Sequence, residues 1–324
     1  MKKIMIILLL GILVLAGCMQ KSDETTASET EETESQSIMI EDGFGQQTFD
    51  EVPKRVVALE WSIVEELLAL GIQPVGVADI ENFNKWVTID AQLDDSVTEV
   101  GLRTEPNIEE IANLNPDVII GKKGHQGDFK EELEKVAPVV MYDSTSQEAQ
   151  EDLYAHMIDT LQKTATLVGK EQKAEDRITH LKESMQEAKE NIEAANLPMT
   201  DFVFTQAYSV NQTPTFRLFT PNSLVSQVLE GVGLTNKIQD QGVQSSGFVE
   251  SNVETVSNYE EALFLHTVQK DDPLFDNLAG NEAWNSLYFV QEGAMYDVGA
   301  GIWTFGSVLS METMIDHVEE ALVK

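Results

Sequence analysis

Eight side chains scattered along this chain share one kind of chemistry. Arg103 and Arg217 carry guanidinium groups, which donate planar, charge-assisted hydrogen bonds to oxygen acceptors. Trp61, Trp86, Phe248, Trp303 and Phe305 offer flat apolar faces, and His125 adds a ring that can donate or accept. This is equipment for holding a polarisable body edged with oxygen atoms, not for reacting with it. Reaction signatures are missing: there is no Gly-x-Ser-x-Gly, no His-Glu-x-x-His, no Cys-x-x-Cys and no Rossmann glycine fingerprint. The five histidines are scattered with no pair at helical ligand spacing, so no metal site built from them is expected. With 56 Asp and Glu residues, any proposed acid–base pair would be nonspecific.

These residues need elements to position them. Arg103 falls in Val100 to Gly121, which reads as loop, short helix, turn and buried strand. Pro106 fits just before a helix, and Asn107 with Glu110 three residues later makes a capping-box-like start. Ile108, Ile111 and Leu114 follow the helical period, Asn115-Pro116 ends it, and Val118-Ile119-Ile120 is a strand covered on both faces. Arg103 is thereby placed at the rim of a sheet, where α/β folds hold ligands. A weaker copy follows later: Asn107-Ile108-Glu109-x-Ile111-x-Asn113 matches Asn252-Val253-Glu254-x-Val256-x-Asn258, each followed by an apolar strand. Either two amphipathic helices agree by coincidence, or the protein has two similar lobes. In the second case Arg103 and Phe248 hold equivalent places, each six residues before the repeated glutamate, and a cleft lies between the lobes.

The remaining elements follow in order. Arg55 to Leu59 reads as the first core strand, and Ser62 to Glu65 as a capping box opening a helix that Gly71 stops. Trp61 lies at that strand-to-helix turn and Trp86 in the loop after the strand Val75 to Val77; each is core or ligand wall. The glycine-rich loop 121–127 lacks Gly-Lys-Ser/Thr and is no phosphate loop, so His125 is a ligand contact or a solvated loop residue. Residues 150–196 form one long helical region bent at Gly169, a stiff strut between lobes. Arg217, set in Thr215 to Phe219, either snorkels or aims into a cleft. After the aromatic loop 299–307, Ser307 caps the last helix.

Composition narrows the role. The chain has 324 residues, 42% of them hydrophobic, enough for two domains with real cores. A formal net charge of −35 argues against nucleic acid and against docking on anionic lipid through basic patches. Met1-Lys2-Lys3 and the apolar run Ile4 to Leu15 begin a signal peptide, and Leu15-Ala16-Gly17-Cys18 resembles the bacterial lipobox. Cys18 is the only cysteine, so a lipid attachment point accounts for it, and the exported part has no disulfide. The Glu-, Thr- and Ser-rich residues 19–37 cannot bury enough surface to order and read as an acidic, disordered tether.

Several stretches resemble a known family. They are Pro53-Lys54-Arg55-Val56-Val57-Ala58-Leu59-Glu60-Trp61, Leu70-Gly71-Ile72-x-Pro74-Val75-Gly76-Val77-Ala78-Asp79 and Val100-Gly101-Leu102-Arg103-Thr104-Glu105-Pro106-Asn107. Asn115-Pro116-Asp117, Pro221-Asn222-Ser223-Leu224 and Trp303-Thr304-Phe305-Gly306-Ser307-Val308-Leu309-Ser310 complete the set. Over residues 53–323 the chain resembles the solute-binding lipoproteins that deliver ferric siderophores, haem or cobalamin to ABC importers, and most of all their ferric-hydroxamate branch. The resemblance implies an α/β fold of two Rossmann-like lobes joined by a single long rigid helix, with the ligand cleft between the lobes. It divides the chain into a lipoprotein signal (1–18), tether (19–37), N-terminal lobe (38–149), interlobe helix region (150–197) and C-terminal lobe (198–324). Arg103 would donate to siderophore oxygens; Trp61, Trp86, Trp303 and Phe305 would pack on its body; Arg217 matches a cleft arginine of Gram-positive members. His125 stands where hydroxamate binders often carry tyrosine, and a histidine there resembles the citrate-type branch instead; Phe248 lies near a cleft tryptophan position. Glu109 and Glu254 match the glutamates, one per lobe, that dock on an ABC permease dimer. The protein is then a monomeric binding protein and not an enzyme, lipid-anchored on the extracytoplasmic face of a Gram-positive membrane. It takes a ferric siderophore as ligand with no cofactor and no direct metal ligand. Ferric citrate, a catecholate chelate, haem, or an exported enzyme using the same cleft are the alternatives.

Overall fold

The computed structural model of the chain describes residues 37–323; Cys18, the signal stretch and the tether to residue 36 lie outside the described residues. In the first lobe, five parallel strands lie in the order Thr98–Glu99, Gly76–Val77, Val56–Ala58, Val118–Lys122 and Val139–Tyr142. Their apolar runs are needed because both faces are covered. Alternate residues take opposite sides: Val56, Ala58, Val118, Ile120, Val140 and Tyr142 join a central core cluster, while Val57, Leu59, Ile119, Val139 and Met141 join an outer one. A hairpin not expected from the sequence, Ile38–Asp42 with Gly45–Phe49, precedes this lobe. It is pinned where Met141 N donates to Asp42 Oδ2 at 2.9 Å and Gly43 N to Met141 O at 2.7 Å.

The second lobe is built on a mixed sheet. Phe248–Ser251, Thr213–Phe219, Asp201–Val210, Leu263–Thr267 and Met295–Asp297 lie side by side, with Thr235–Asn236 also pairing to Asp201–Val210. Asp201–Val210 runs parallel to Leu263–Thr267 but antiparallel to Thr213–Phe219. The cause is a two-residue reversal at Asn211 and Gln212, whose φ values of 50° and 67° are those of a type I′ turn. So short a connection permits only antiparallel pairing. Phe202, Phe204, Phe219, Leu263 and Leu265 face the same central cluster that the first sheet feeds. Val203, Phe216, Leu218 and Phe264 face a cluster of the second lobe's own.

Between the lobes the helical region is interrupted. Gln147–Glu151 and Leu153–Leu167 come first, and the 24-residue helix Glu171–Ala194, about 36 Å long, follows. Gly169 does more than bend the chain. At φ +64° it ends Leu153–Leu167 in a Schellman motif, with Lys170 N donating to Ala165 O at 2.8 Å and Gly169 N to Thr166 O at 3.4 Å. The long helix then packs on Leu153–Leu167 and on the last helix, Val308–Leu322. Its stripe of Ala174, Ile178, Leu181, Ala188 and Ile192 is buried in the central cluster, which both lobes share.

Candidate ligand-binding cleft

The strand Val56–Ala58 delivers Glu60 and Trp61 to its C-terminal end, at the centre of the sheet. The helix Trp61–Ala69 starts one residue after Glu60, so Glu65 lies a turn past the capping position and the expected box at Ser62–Glu65 does not form. The Glu65 carboxylate reaches into the other lobe. It accepts Ser307 N at 2.9 Å, Ser310 N at 3.0 Å and Ser310 Oγ at 2.8 Å, and so caps Val308–Leu322. Ser307, expected to cap that helix, makes no side-chain cap bond. Next to it, Glu66 accepts Thr160 Oγ1 at 2.8 Å and Thr164 Oγ1 at 2.6 Å from the helix Leu153–Leu167. Burial pushes both carboxyls up to about 7, against the bonds they accept.

Arg103 sits at the tip of a small hairpin, Gly101–Leu102 with Glu105–Pro106. Gly101 has φ +91°, and a Cβ there would lie 2.7 Å from Asn107 N, so only glycine turns the chain this tightly. The guanidinium lies over the Trp61 ring at 4.1 Å from its centroid and 5.5 Å from that of Trp303. Its Nη1 is 3.5 Å from Glu60 Oε2. Glu60 Oε1 also bonds His125 Nδ1 and accepts Gln126 Nε2 at 3.0 Å. Burial alone would raise the Glu60 pKa; the His125 bond and the charges of Lys122 and Arg103 outweigh it and hold the carboxyl below its ordinary value. His125 is carried by a short helix, Lys123–Gln126, and not by the open glycine loop that the sequence suggested.

The opposite wall comes from the second lobe. Arg217 does not snorkel outward: its guanidinium lies 4.9 Å from the Phe248 centroid and 5.2 Å from that of Tyr208. Arg217 Nη1 donates to Gln206 Oε1 at 3.1 Å, and Nε stands 3.6 Å from Glu250 Oε1. Aromatic rings run on from one lobe to the other. Trp61 meets Trp303 at 4.8 Å between centroids, Trp303 meets Phe305 at 5.4 Å, and Phe305 meets Phe248 at 5.7 Å. The loop bearing Trp303 and Phe305 is held by Gly301, which has φ +91° and would place a Cβ 2.2 Å from Thr88 Oγ1.

These walls enclose a cavity of about 310 Å³, with Arg103 and His125 on one side and Arg217, Phe248, Trp303 and Phe305 on the other. A second recess of about 300 Å³ shares Arg217 and Trp303 and adds Trp61 and Trp86. All eight residues singled out in the sequence therefore line one of two adjoining hollows. Trp86 ends the helix Ile80–Trp86 instead of lying in a loop. Glu60, Lys122 and Tyr208 were missed as site residues: Lys122 ends a central strand and Glu60 follows one, but no side-chain cap marks the helices that come next, as Asn107 marks the one beside Arg103. Glu109 and Glu254 are exposed on the first turns of two short helices. Asn107 Oδ1 accepts Glu110 N at 3.2 Å and Asn252 Oδ1 accepts Thr255 N at 3.0 Å, so the two copies of the motif cap alike. Among the described residues no group of three His, Cys, Asp or Glu could hold a metal, and no helix is long and apolar enough to cross a membrane.

Two lobes over a common core, with one cleft between them, are the frame of a solute receptor, and the sequence pattern of the family described as periplasmic binding protein matches residues 56–300. The chain belongs to that family. Periplasmic binding proteins are solute carriers and not enzymes. This one is 29% identical over 318 residues to the Fe(3+)-citrate-binding protein YfmC of Bacillus subtilis (strain 168), covering 97% of this chain and 95% of that one. It is 30% identical over 276 residues to the iron(3+)-hydroxamate-binding protein FhuD of Escherichia coli (strain K12), covering 83% and 87%. The crystal structure of the siderophore-binding protein FhuD from Vibrio cholerae with bound Fe3+–Desferal superposes with a TM-score of 0.75 at 30% identity, over 83% of this chain and 98% of that one.

Proposed function

We propose that this periplasmic binding protein captures a ferric siderophore, of the hydroxamate type, and hands it to an ABC importer from the extracytoplasmic face of the membrane. One observation carries the reading. Arg103 and Arg217 come from opposite lobes, each laid on aromatic rings, and both line a single cavity of about 310 Å³. A ferric hydroxamate presents that cavity with what it needs: oxygen acceptors for the guanidinium groups and a carbon body for the rings. The iron arrives fully coordinated, so the protein supplies no ligand to it. Cys18 carries the lipid anchor, as suits a Gram-positive cell. The folded part works as a monomer, and Glu109 and Glu254 present one carboxylate from each lobe to the two halves of a permease dimer. Ferric citrate is the second reading, favoured by the relative named for it and by the cations Arg103, Lys122 and Arg217 on the cavity wall.

The test is a tryptophan-fluorescence titration, since Trp61 and Trp303 line the cleft. Ferrichrome and ferrioxamine should quench saturably and their iron-free forms weakly. Quenching by ferric citrate alone overturns the hydroxamate assignment, and a signal unmoved by any ferric chelate overturns the receptor reading.

A further inference from the structure

Arg103, Lys122 and Arg217 put three cationic side chains on the wall of the cleft cavity, in a chain whose formal net charge is −35. Left unopposed, they would draw in the most anionic chelate on offer. Each lobe meets its arginine with a carboxylate, but the two differ. Glu250 stands 3.6 Å from Arg217 with its side chain 57% exposed, where water screens it. Glu60 is only 4% exposed and stands 3.5 Å from Arg103. It cannot swing away cheaply. Its Oε1 is held by Gln126 Nε2 at 3.0 Å, and that same amide nitrogen bonds Arg103 O at 2.6 Å and Leu59 O at 3.3 Å. Gln126 is itself fully buried.

We infer that Glu60 is the charge selector of the cleft: a fixed counter-ion that cancels one of the three positive charges of the wall and, together with Glu250 and the field of a chain at −35, lets neutral and cationic ferric chelates in and disfavours polyanionic ones. This rests on the reading of the cleft as a ferric-chelate site. A guanidinium has five N–H donors, and Glu60 faces only one edge of Arg103, so carbonyl and N–O oxygens of a neutral chelate can use the rest. A chelate edged with free carboxylates must bring them to that guanidinium beside a carboxylate that neither moves nor meets water. At the dielectric of such a half-buried site, each added negative charge a few ångströms away weakens binding on the order of tenfold.

The experiment uses one chelate in three charge states, titrated by tryptophan fluorescence against the full chain. Ferrioxamine B carries a free ammonium, its N-acetyl derivative is neutral, and its N-succinyl derivative is anionic; ferric citrate extends the series. Wild-type affinity should fall along the series. In Glu60→Gln the fall should flatten, with the succinyl derivative and ferric citrate tightening about tenfold relative to the acetyl derivative. Lys122→Gln removes a cation from the same wall and should steepen the fall by a similar factor. Equal weakening of every chelate by Glu60→Gln would mean that the residue only positions Arg103, and the inference fails. A wild type indifferent to charge, or a Lys122→Gln variant with an unchanged slope, sinks it too, even if Glu60→Gln does not fold. If the ferrioxamines do not bind but ferric citrate does, the hydroxamate reading falls alone, and Glu60→Gln must still tighten citrate. If no chelate binds, both readings fall.

Discussion

Replacing Glu65 with alanine should destabilise this protein, and more at pH 5 than at pH 8. The carboxylate accepts Ser307 N, Ser310 N and Ser310 Oγ, and both serines are at most 1% exposed. Removing it leaves two buried backbone N–H groups without partners, at about 1–3 kcal/mol each. Against this stands a term that depends on pH. Burial raises the Glu65 pKa from 4.5 to about 7, so the folded state disfavours its ionised form. The stability that goes with a raised pKa is fully present below 4.5 and is lost as pH rises through about 7. Over that range the wild type loses about 3 kcal/mol to this one group, and the alanine variant, having no carboxyl, does not. The destabilisation should therefore be nearly complete at pH 5 and smaller at pH 8 by roughly 2–3 kcal/mol. For a chain of this size that is a difference in ΔTm of about 4–6 °C. Thermal unfolding of both proteins at the two pH values measures it. Glu66, pushed up to about 7 chiefly by its own burial, keeps most of its pH dependence in both proteins and largely cancels in the comparison, the Glu65 charge being the smallest of the causes that shift it. Equal ΔTm at the two pH values would show that Glu65 does not titrate between them, and a larger ΔTm at pH 8 would reverse the sign of the argument.

Three further outcomes follow from the cleft and the capped motifs. Arg103→Ala removes the charge-assisted donors and the contact with Trp61, and should weaken ferric hydroxamate binding about 10- to 100-fold; an unchanged titration curve would remove Arg103 from the site. Glu109→Lys with Glu254→Lys reverses two exposed charges that line neither hollow, so chelate affinity in solution should stay within about twofold while uptake by cells collapses; a change in solution affinity would tie them to the cleft instead. Gly301→Ala drives a Cβ against Thr88 at a backbone angle hostile to alanine, and should weaken binding by displacing Trp303. Gly280→Ala, which meets nothing within 4 Å, serves as the control for that titration.

What could be read in the sequence was local chemistry. Asn107 and Asn252 announce their helices because a cap satisfies backbone donors three residues away, and both caps form. The apolar runs at Val118 and Val139 announce strands because both faces of a parallel sheet are buried. Arg103 was legible because it lies just before a capped helix. Glu65 was misread for the same reason: local rules assigned it to the start of its own helix, whereas its partner Ser307 lies 242 residues on. Glu60 was passed over because a glutamate among 56 acidic residues carries no signal until its neighbours are known to be Arg103 and His125. The helix that carries Trp86 is not legible because it opens at Asp79, which has φ +61° and makes no side-chain cap bond, so no cap marks it.

The shared core also bears on how the cleft selects. The central cluster runs from Val56 and Ile120 of the first sheet, through Leu161 and Leu181 of the connecting helices, to Phe204 and Leu265 of the second. Rotating one lobe from the other would expose part of that surface, and about 200 Å² of it would cost on the order of 5 kcal/mol. Glu65 and Glu66 add bonds from one helix of the first lobe to the last helix and to the connecting helix. Wide closure around the ligand is therefore disfavoured, and little binding energy can come from contacts made only on closing. Discrimination must rest on what already stands in the open cleft: two arginines held on aromatic faces, and the fixed carboxylate between Arg103 and His125. A rigid cleft of this kind tells chelates apart by charge and outline, which is why a single substitution at Glu60 is expected to alter the choice of ligand without altering the fold.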